Sequence, residues 1–445
     1  MNFKVLKRSH LKRNIIIGVV VVAIISAVVL TFTRAKYRVT QSIPLVNGTI
    51  NYSLADFNAV AIYVNGDSGY TKSDTIPDGY VLNESESYCT VNGEEDTSIS
   101  LSYDVATKSL SVTPMTTKGT KCYLYFDEKT PANIQELIAS KNLATRTDFS
   151  TTLKKDTTGT IYYEDTSKGT TYYFAGNPTD NWVKFADKYW RIIRINEDGS
   201  LRLIYSGEAD SEKPDSSNTT GTGTQIGTSA FNSSYKDNMY VGFKYTSGNV
   251  HGTGTNSTIL TALNSWYSSN LSSYTDKIDG NAGFCGDRTP STSSSSSNGS
   301  GGTGTTETYY GGYIRLVIND QPTFDCPDGD LYTTSGSSQG NKALQYPIGL
   351  ISADEITYAG GLYGGVYNTT NTSYYLYTGQ RYWTMSPSNV LLSAWAYVFF
   401  VDSDGSLDRS IRVDKALGVR PVINLKSNIR FSEGNGTSET PLVVS

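Results

Sequence analysis

The pattern of apolar and polar positions changes character along the chain. Residues 14–32, NIIIGVVVVAIISAVVLTF, are nineteen uncharged and mostly apolar positions. At about 1.5 Å per residue, a helix of that length crosses a hydrocarbon layer about 30 Å thick. Residues 37–128 switch to short alternating runs, NAVAIYVNG, DGYVLN, SYCTVNG, TSISLSYD, KSLSVTP and KCYLYFD, bounded by Asn-Gly, Asp-Gly and Lys-Gly pairs. Period-two alternation between such turns predicts a small immunoglobulin-like β-sandwich, expected to serve as a spacer.

Residues 129–158 predict a linker. Thr130 can cap a helix over 130–144, Pro131 suits its first turn, and Ile134, Leu137 and Ile138 share a face. A polar extended stretch follows. Residues 159–430 predict a larger α+β head, with 431–445 as a tail. TTYYFAGN, NWVKFADKYWRIIRIN and GSLRLIYSG read as three strands, the last two joined by a turn at Glu197-Asp198-Gly199. Leu260, Leu263, Tyr267, Leu271 and Tyr274 recur at helical spacing. In GLISADEITYAGG, Ser352 is a cap with Glu355 three residues on, and Gly360-Gly361 stops the helix. Residues 291–306, STSSSSSNGSGGTGTT, are low in complexity and predict a flexible loop. The expected fold class is mainly β, with one transmembrane helix, a sandwich spacer and an α+β head.

Charge orients this arrangement. Lys4, Lys7, Arg8, Lys12 and Arg13 precede the apolar run, and Arg34, Lys36 and Arg38 follow it. That excess puts residues 1–13 inside as a cytoplasmic stub and the long polypeptide outside, at a single-pass cell-membrane location. A cleaved secretory signal is the alternative, but the apolar core exceeds the usual 7–15 residues. With 18% charged residues and a net charge of −5, the chain has no basic footprint for nucleic acid. The 33 tyrosines suit half-buried strands and polar contact surfaces alike.

Cys89, Cys122, Cys285 and Cys326 fit the exported reading. Four cysteines allow three pairings; joining neighbours gives one disulfide within each expected domain. A metal site is the competing use, yet there is no Cys-x-x-Cys, and the only histidines are His10 and His251. No metal or cofactor is expected.

Catalytic signatures are missing: there is no Gly-x-Ser-x-Gly, phosphate-binding loop, His-Glu-x-x-His or dinucleotide fingerprint. His251 reads as a solvated loop residue. Asp354-Glu355 or Asp402 with Asp404 would serve a two-carboxylate hydrolase, although an acidic first turn also complements a helix dipole. The expectation is a non-enzyme.

The candidate binding residues are Trp383, Met385, Asn389, Leu391, Leu392, Trp395, Tyr397, Asp408, Arg409 and Arg412. Trp, Tyr and Arg dominate binding hot spots, and SNVLLSAWAY carries more large apolar groups than a solvated loop needs. Asn389, Leu391, Leu392 and Trp395 are expected to be exposed, Val398 and Phe400 to fill the core, and Arg420 to be paired inside the fold.

Together, NWVKFADKYWRIIRINEDGSLRLIY, AGFCGDRTPS, YPIGLISADEITYAGG, YWTMSP and GVRPVINL resemble a family of exported surface proteins from Gram-positive, gut-type bacteria. The C-terminal domain of that family resembles the C-type-lectin-like fold shared with formylglycine-generating enzymes and with the variable proteins of diversity-generating retroelements. The resemblance implies a rigid scaffold presenting a ligand-contacting, hypervariable loop face, and an extracellular protein or glycan as partner. Two departures limit it. Gln321-Pro322-Thr323 lacks the carboxylate of a calcium-dependent sugar site. No cysteine follows Cys326, so the thiol pair of the formylglycine-generating enzymes is missing. The expected function is therefore membrane-anchored ligand binding or adhesion; the alternatives are an envelope enzyme acting on glycans and a passive surface component.

Overall fold

The computed structural model describes residues 41–44, 59–66, 69–77, 79–105, 108–114, 119–292, 301–364, 370–391 and 395–445. The apolar stretch 14–32, the stub before it and Leu392 lie outside the described residues. Among the described residues no helix is long and apolar enough to cross a membrane. The chain is mainly β, in several sheets, and divides into two compact units, Met1–Lys129 and Thr130–Ser445.

In the first unit, alternation becomes two sheets sharing one core. A three-stranded sheet joins Gln41–Pro44, Ser109–Thr113 and Ser100–Asp104. A six-stranded sheet is centred on Thr120–Glu128, whose burial alternates along its length. Leu110 and Val112 from the first sheet pack with Ile62, Leu124 and Phe126 from the second. Asn92 and Gly93 turn one hairpin at φ +56° and +93°, a geometry that Asn-Gly adopts readily. Ala59–Gly66 and Thr120–Glu128 run parallel. On the face of the larger sheet away from the core, Tyr63 stacks on Tyr125 with ring centres 4.9 Å apart, and Tyr88 stacks on Tyr123 at 5.0 Å. Each pair lies directly across neighbouring strands, so tyrosine here supplies cross-strand contacts. Cys89 and Cys122 are likewise opposite each other on neighbouring strands and form a disulfide.

The second unit is built around a nine-stranded sheet. Lys188–Ile195 and Leu201–Glu208 pair antiparallel and are buried nearly throughout, because the sheet is covered on both faces. On one face the Thr258–Asn270 helix brings Trp266 within 5.6 Å of the Tyr205 ring. This helix starts at Ser257, whose hydroxyl accepts from Leu260 N, and buries Leu260, Leu263 and Tyr267. The Ala353–Ala359 helix has the expected ends: a reciprocal Ser352–Glu355 capping box, and Gly360 at φ +114°.

Several expectations change. NWVKFADKYWRIIRIN is not one strand. Ala186 and Asp187 take φ +53° and +55° and fold it into a hairpin of Trp182–Phe185 against Lys188–Ile195. Alanine gives no turn signal, and its positive φ costs about 1–2 kcal/mol that the paired strands must offset. The helix expected over 130–144 is Ile134–Ala139, capped by Asn133 rather than Thr130. It is no free linker, since Ile134 and Leu137 are wholly buried in the main core and Lys141 pairs with Asp180 at 2.6 Å. The expected tail is structural too: Leu442–Val444 adds a parallel strand beside Trp182–Phe185, and Leu442 is fully buried. Within the low-complexity stretch, residues 293–300 lie outside the described residues. Its later part is held, for Asn238 donates to Gly304 O at 3.0 Å and Thr306 O at 2.7 Å.

Candidate ligand-binding site

The predicted binding segment folds as a hairpin, Tyr382–Val390 against Ala396–Val401. Both strands are buried at every position, which sorts the candidate residues sharply. Trp383, Met385 and Asn389 are interior, at 0%, 1% and 0% exposure, so Asn389 does not have the exposure expected of it. Trp383 donates from its indole to Ser229 O at 2.9 Å and packs edge-on to Phe231 and Phe400. Met385 N donates to Ile351 O. These side chains position the site and cannot touch a ligand at the surface. Val398 and Phe400 are in the core, as expected.

Leu391, Trp395, Tyr397 and Arg412 come together near the hairpin tip, whereas Asp408 pairs with Phe400 toward the other end of the hairpin. Leu391 N donates to Trp395 O at 3.2 Å and closes the loop. Leu391 is half-buried and Trp395 is 39% exposed. The guanidinium carbon of Arg412 lies 3.9 Å from the ring centre of Tyr235 and 5.1 Å from that of Trp395. Asp414 holds Arg412 through two bonds of 3.0 Å, which raises the guanidinium pKa. Tyr397 pairs with Arg412 as an isolated bridge, and partial burial pushes its phenol pKa up. Arg409 lies 4.8 Å from the Tyr313 ring and 5.7 Å from Tyr363, and donates to Asn389 Oδ1 at 3.1 Å. Asp408 is half-buried and accepts from Ser410 N. Tyr235, Tyr313 and Tyr363 were not predicted. They come from three distant segments, and only the fold brings them to these arginines.

A second concave region is a cleft of about 280 Å³ walled by the Cys285–Cys326 disulfide. It holds two ion-pair systems. Glu355 receives Arg202 at 2.6 Å and Arg194 at 3.1 Å. Burial would raise the pKa of Glu355, but the two guanidinium groups and Ser352 N carry it below its usual range. Arg315 grips Asp354 through two bonds of 2.9 Å and reaches Asp287 at 2.6 Å. Burial outweighs Arg315 at Asp287, and with Asp354 nearby its pKa is pushed up to about 6. Gly312 permits this approach, since a β-carbon there would lie 2.8 Å from Asp287 Oδ2. Asp354 and Glu355 thus sit in a capped first turn as expected, and each also anchors an arginine. Asp402 pairs instead with Arg381 at 2.8 Å, in the hairpin turned by Asp404 and Gly405.

His251 is not simply solvated. Its Nδ1 lies 2.8 Å from Oδ1 of the buried Asp330, whose Oδ2 accepts from the Thr289 hydroxyl. Among the described residues no serine, threonine or cysteine bonds to the other ring nitrogen. Nor does any group of three or more metal-ligating side chains gather among the described residues. Arg420 is buried as expected, but it donates to Tyr205 O and Leu376 O rather than to a carboxylate.

No known family model, curated protein or solved structure matches the chain.

Proposed function

We propose that the chain is a single-pass surface protein whose second unit is a C-type-lectin-like head that binds an extracellular protein or glycan, with the first unit as spacer. The face formed by Trp395, Tyr235, Arg412, Arg409 and Tyr313 is the binding surface in this reading. The observation that carries it is the exposed Trp395 standing over an arginine already oriented by Asp414 and Tyr235. Aromatic rings and fixed guanidinium groups lose little conformational freedom on contact, which is why such pairs dominate binding energies. Two intramolecular disulfides suit an oxidising compartment.

If residues 383–416 vary between copies, Trp383, Met385 and Asn389 are expected to stay constant, since they are packed in the core. A reverse transcriptase gene and a near-identical template repeat beside this gene would accompany that version. Binding itself is tested by probing a glycan and protein array with residues 37–445. A hit lost on Trp395→Ala supports the reading, and hits indifferent to Trp395 and Arg412 overturn it.

An envelope enzyme acting on glycans remains the second reading, because Asp287 and Asp354 converge on Arg315 in the cleft. Against it, Asp354 and Glu355 are both held by arginines. Incubation with wall polymers distinguishes the two: soluble products that vanish with Asp287→Asn would establish the enzyme.

A further inference from the structure

The charges of the 280 Å³ cleft lie in two tiers. Its deep wall sets Arg194, Arg202 and Arg315 against Asp287, Asp354 and Glu355, and these groups satisfy one another through the ion pairs already described. A matched set of this kind offers little net charge to an incoming molecule. The rest of the wall adds Glu197, which shares Arg194 at 3.5 Å, and the exposed Asp198 and Asp325 beside Lys168, so the described lining residues count six carboxylates against four cations. Lys168 is already directed to Gln339 at 3.3 Å and Asp328 at 3.5 Å. The rim therefore carries an excess of negative charge, and a cleft with low-dielectric walls focuses that potential on whatever enters.

Two of the rim carboxylates are half used. Asp198 accepts from Ser200 N and Oγ, and Asp325 from Ser167 N and Oγ, in each case through Oδ1. Their Oδ2 atoms carry no side-chain bond among the described residues. Further in, Asn196 lines the cleft at 4% exposure. Its Nδ2 donates to Ser200 Oγ and Asn424 Oδ1, which fixes the amide orientation, yet its Oδ1 has no partner. A buried acceptor in that state calls for a donor. Among the described lining residues the only aromatic ring, Phe324, is already covered, by Tyr358 at 3.8 Å and by Arg194 at 4.9 Å. That leaves no open ring face for a flat aromatic ligand, and the volume is below that of typical drug-sized pockets, about 300–1,000 Å³.

We propose that this cleft is a binding site for a small hydroxylated organic cation, its ammonium group held by the acidic rim and its remaining donors turned toward Asn196. The site is independent of the Trp395 face, none of whose residues lines it. The full chain is titrated calorimetrically with ethanolamine and glucosamine, and in parallel with their uncharged counterparts ethylene glycol and glucose. The cations are expected to bind at least about tenfold more tightly than the neutral molecules. Combined Glu197→Gln, Asp198→Asn and Asp325→Asn is expected to remove that preference, and Trp395→Ala to leave it intact. Raising the salt from about 0.05 M to about 0.5 M should weaken cation binding to the unaltered protein, a readout that needs no variant to fold. Equal binding of charged and neutral probes, salt-insensitive binding, or no heat with either cation at about 10 mM overturns the proposal.

Discussion

The guanidinium carbon of Arg412 lies 3.9 Å from the ring centre of Tyr235. Asp414 fixes the same guanidinium from the side with two bonds of 3.0 Å, so the arginine is oriented before any ligand arrives. Trp395→Ala removes the exposed neighbour without opening the core. Ligand affinity should fall by about tenfold or more, equivalent to about 1.4 kcal/mol. Urea unfolding should shift by only about 0.5 kcal/mol. Trp383→Ala is the contrasting variant: it empties a fully buried site and should cost about 3–5 kcal/mol of stability. Comparable destabilisation by the two would mean that Trp395 belongs to the core.

Asp287 makes a pH prediction. Its folded pKa, about 6, lies above the ordinary 3.8. A carboxyl raised in this way favours the protonated folded state. Its stabilising contribution is complete below about pH 4 and disappears as pH rises through 6. At 1.36 kcal/mol per unit the total is of the order of 3 kcal/mol. Wild type minus Asp287→Asn should therefore decline between pH 4 and 6 and stay level above, as followed by denaturant midpoints. A difference that does not change across that window rules out the buried-carboxyl account.

Glu355 behaves in the opposite sense, its pKa being held down by Arg202 and Arg194. Glu355→Ala leaves Arg202, only 2% exposed, without its carboxylate, while Arg194 keeps Glu197 at 3.5 Å. Breaking a buried pair from one side should cost about 3–5 kcal/mol. Urea denaturation measures this directly, and a loss below about 1 kcal/mol would mean that water replaces the carboxylate.

The disulfides give a prediction that depends on neither site. Peptide mapping without reductant should recover Cys89 linked to Cys122 and Cys285 linked to Cys326. Their sequence separations of 33 and 41 correspond to about 4 kcal/mol each in the chain-entropy account. Recovery of a cross-pair, Cys89 with Cys326 for example, would contradict the division into two units.

Local signals carried much of the fold. Ser352, Glu355 and Gly360 bound their helix as read, and Asn92-Gly93 turns its hairpin. The disulfide partners followed from domain placement. The Ala186-Asp187 turn was not legible, because alanine gives no sign of a positive φ and a lone Asp inside an apolar run is a weak one. The helix at Ile134–Ala139 looked like a linker because its apolar face says only that something must cover it. What covers it is the main core, supplied by residues far along the chain. Leu442 was hidden for the same reason: a short apolar run at the end of a polar segment becomes a strand only beside Trp182–Phe185.

The binding segment shows the division most clearly. Composition alone located the hairpin tip and named Trp395, Arg409 and Arg412. It could not separate them from Trp383, Met385 and Asn389, because a strand covered on both faces has no polar alternation to reveal which way a side chain points. The charged cleft was not legible as a site at all. Arg194, Arg202, Asp287, Arg315 and Glu355 are scattered residues of ordinary type, and charge pairing acts through space rather than along the chain. By itself the sequence determined the mainly β character and caps and turns such as Ser352, Gly360 and Asn92-Gly93, since those depend on neighbours in the chain; it left three cysteine pairings open, with neighbour pairing favoured by domain placement. The tertiary structure decided which aromatics stay outside and which carboxylates meet which arginines, since burial and Coulomb energy depend on distances that only folding sets.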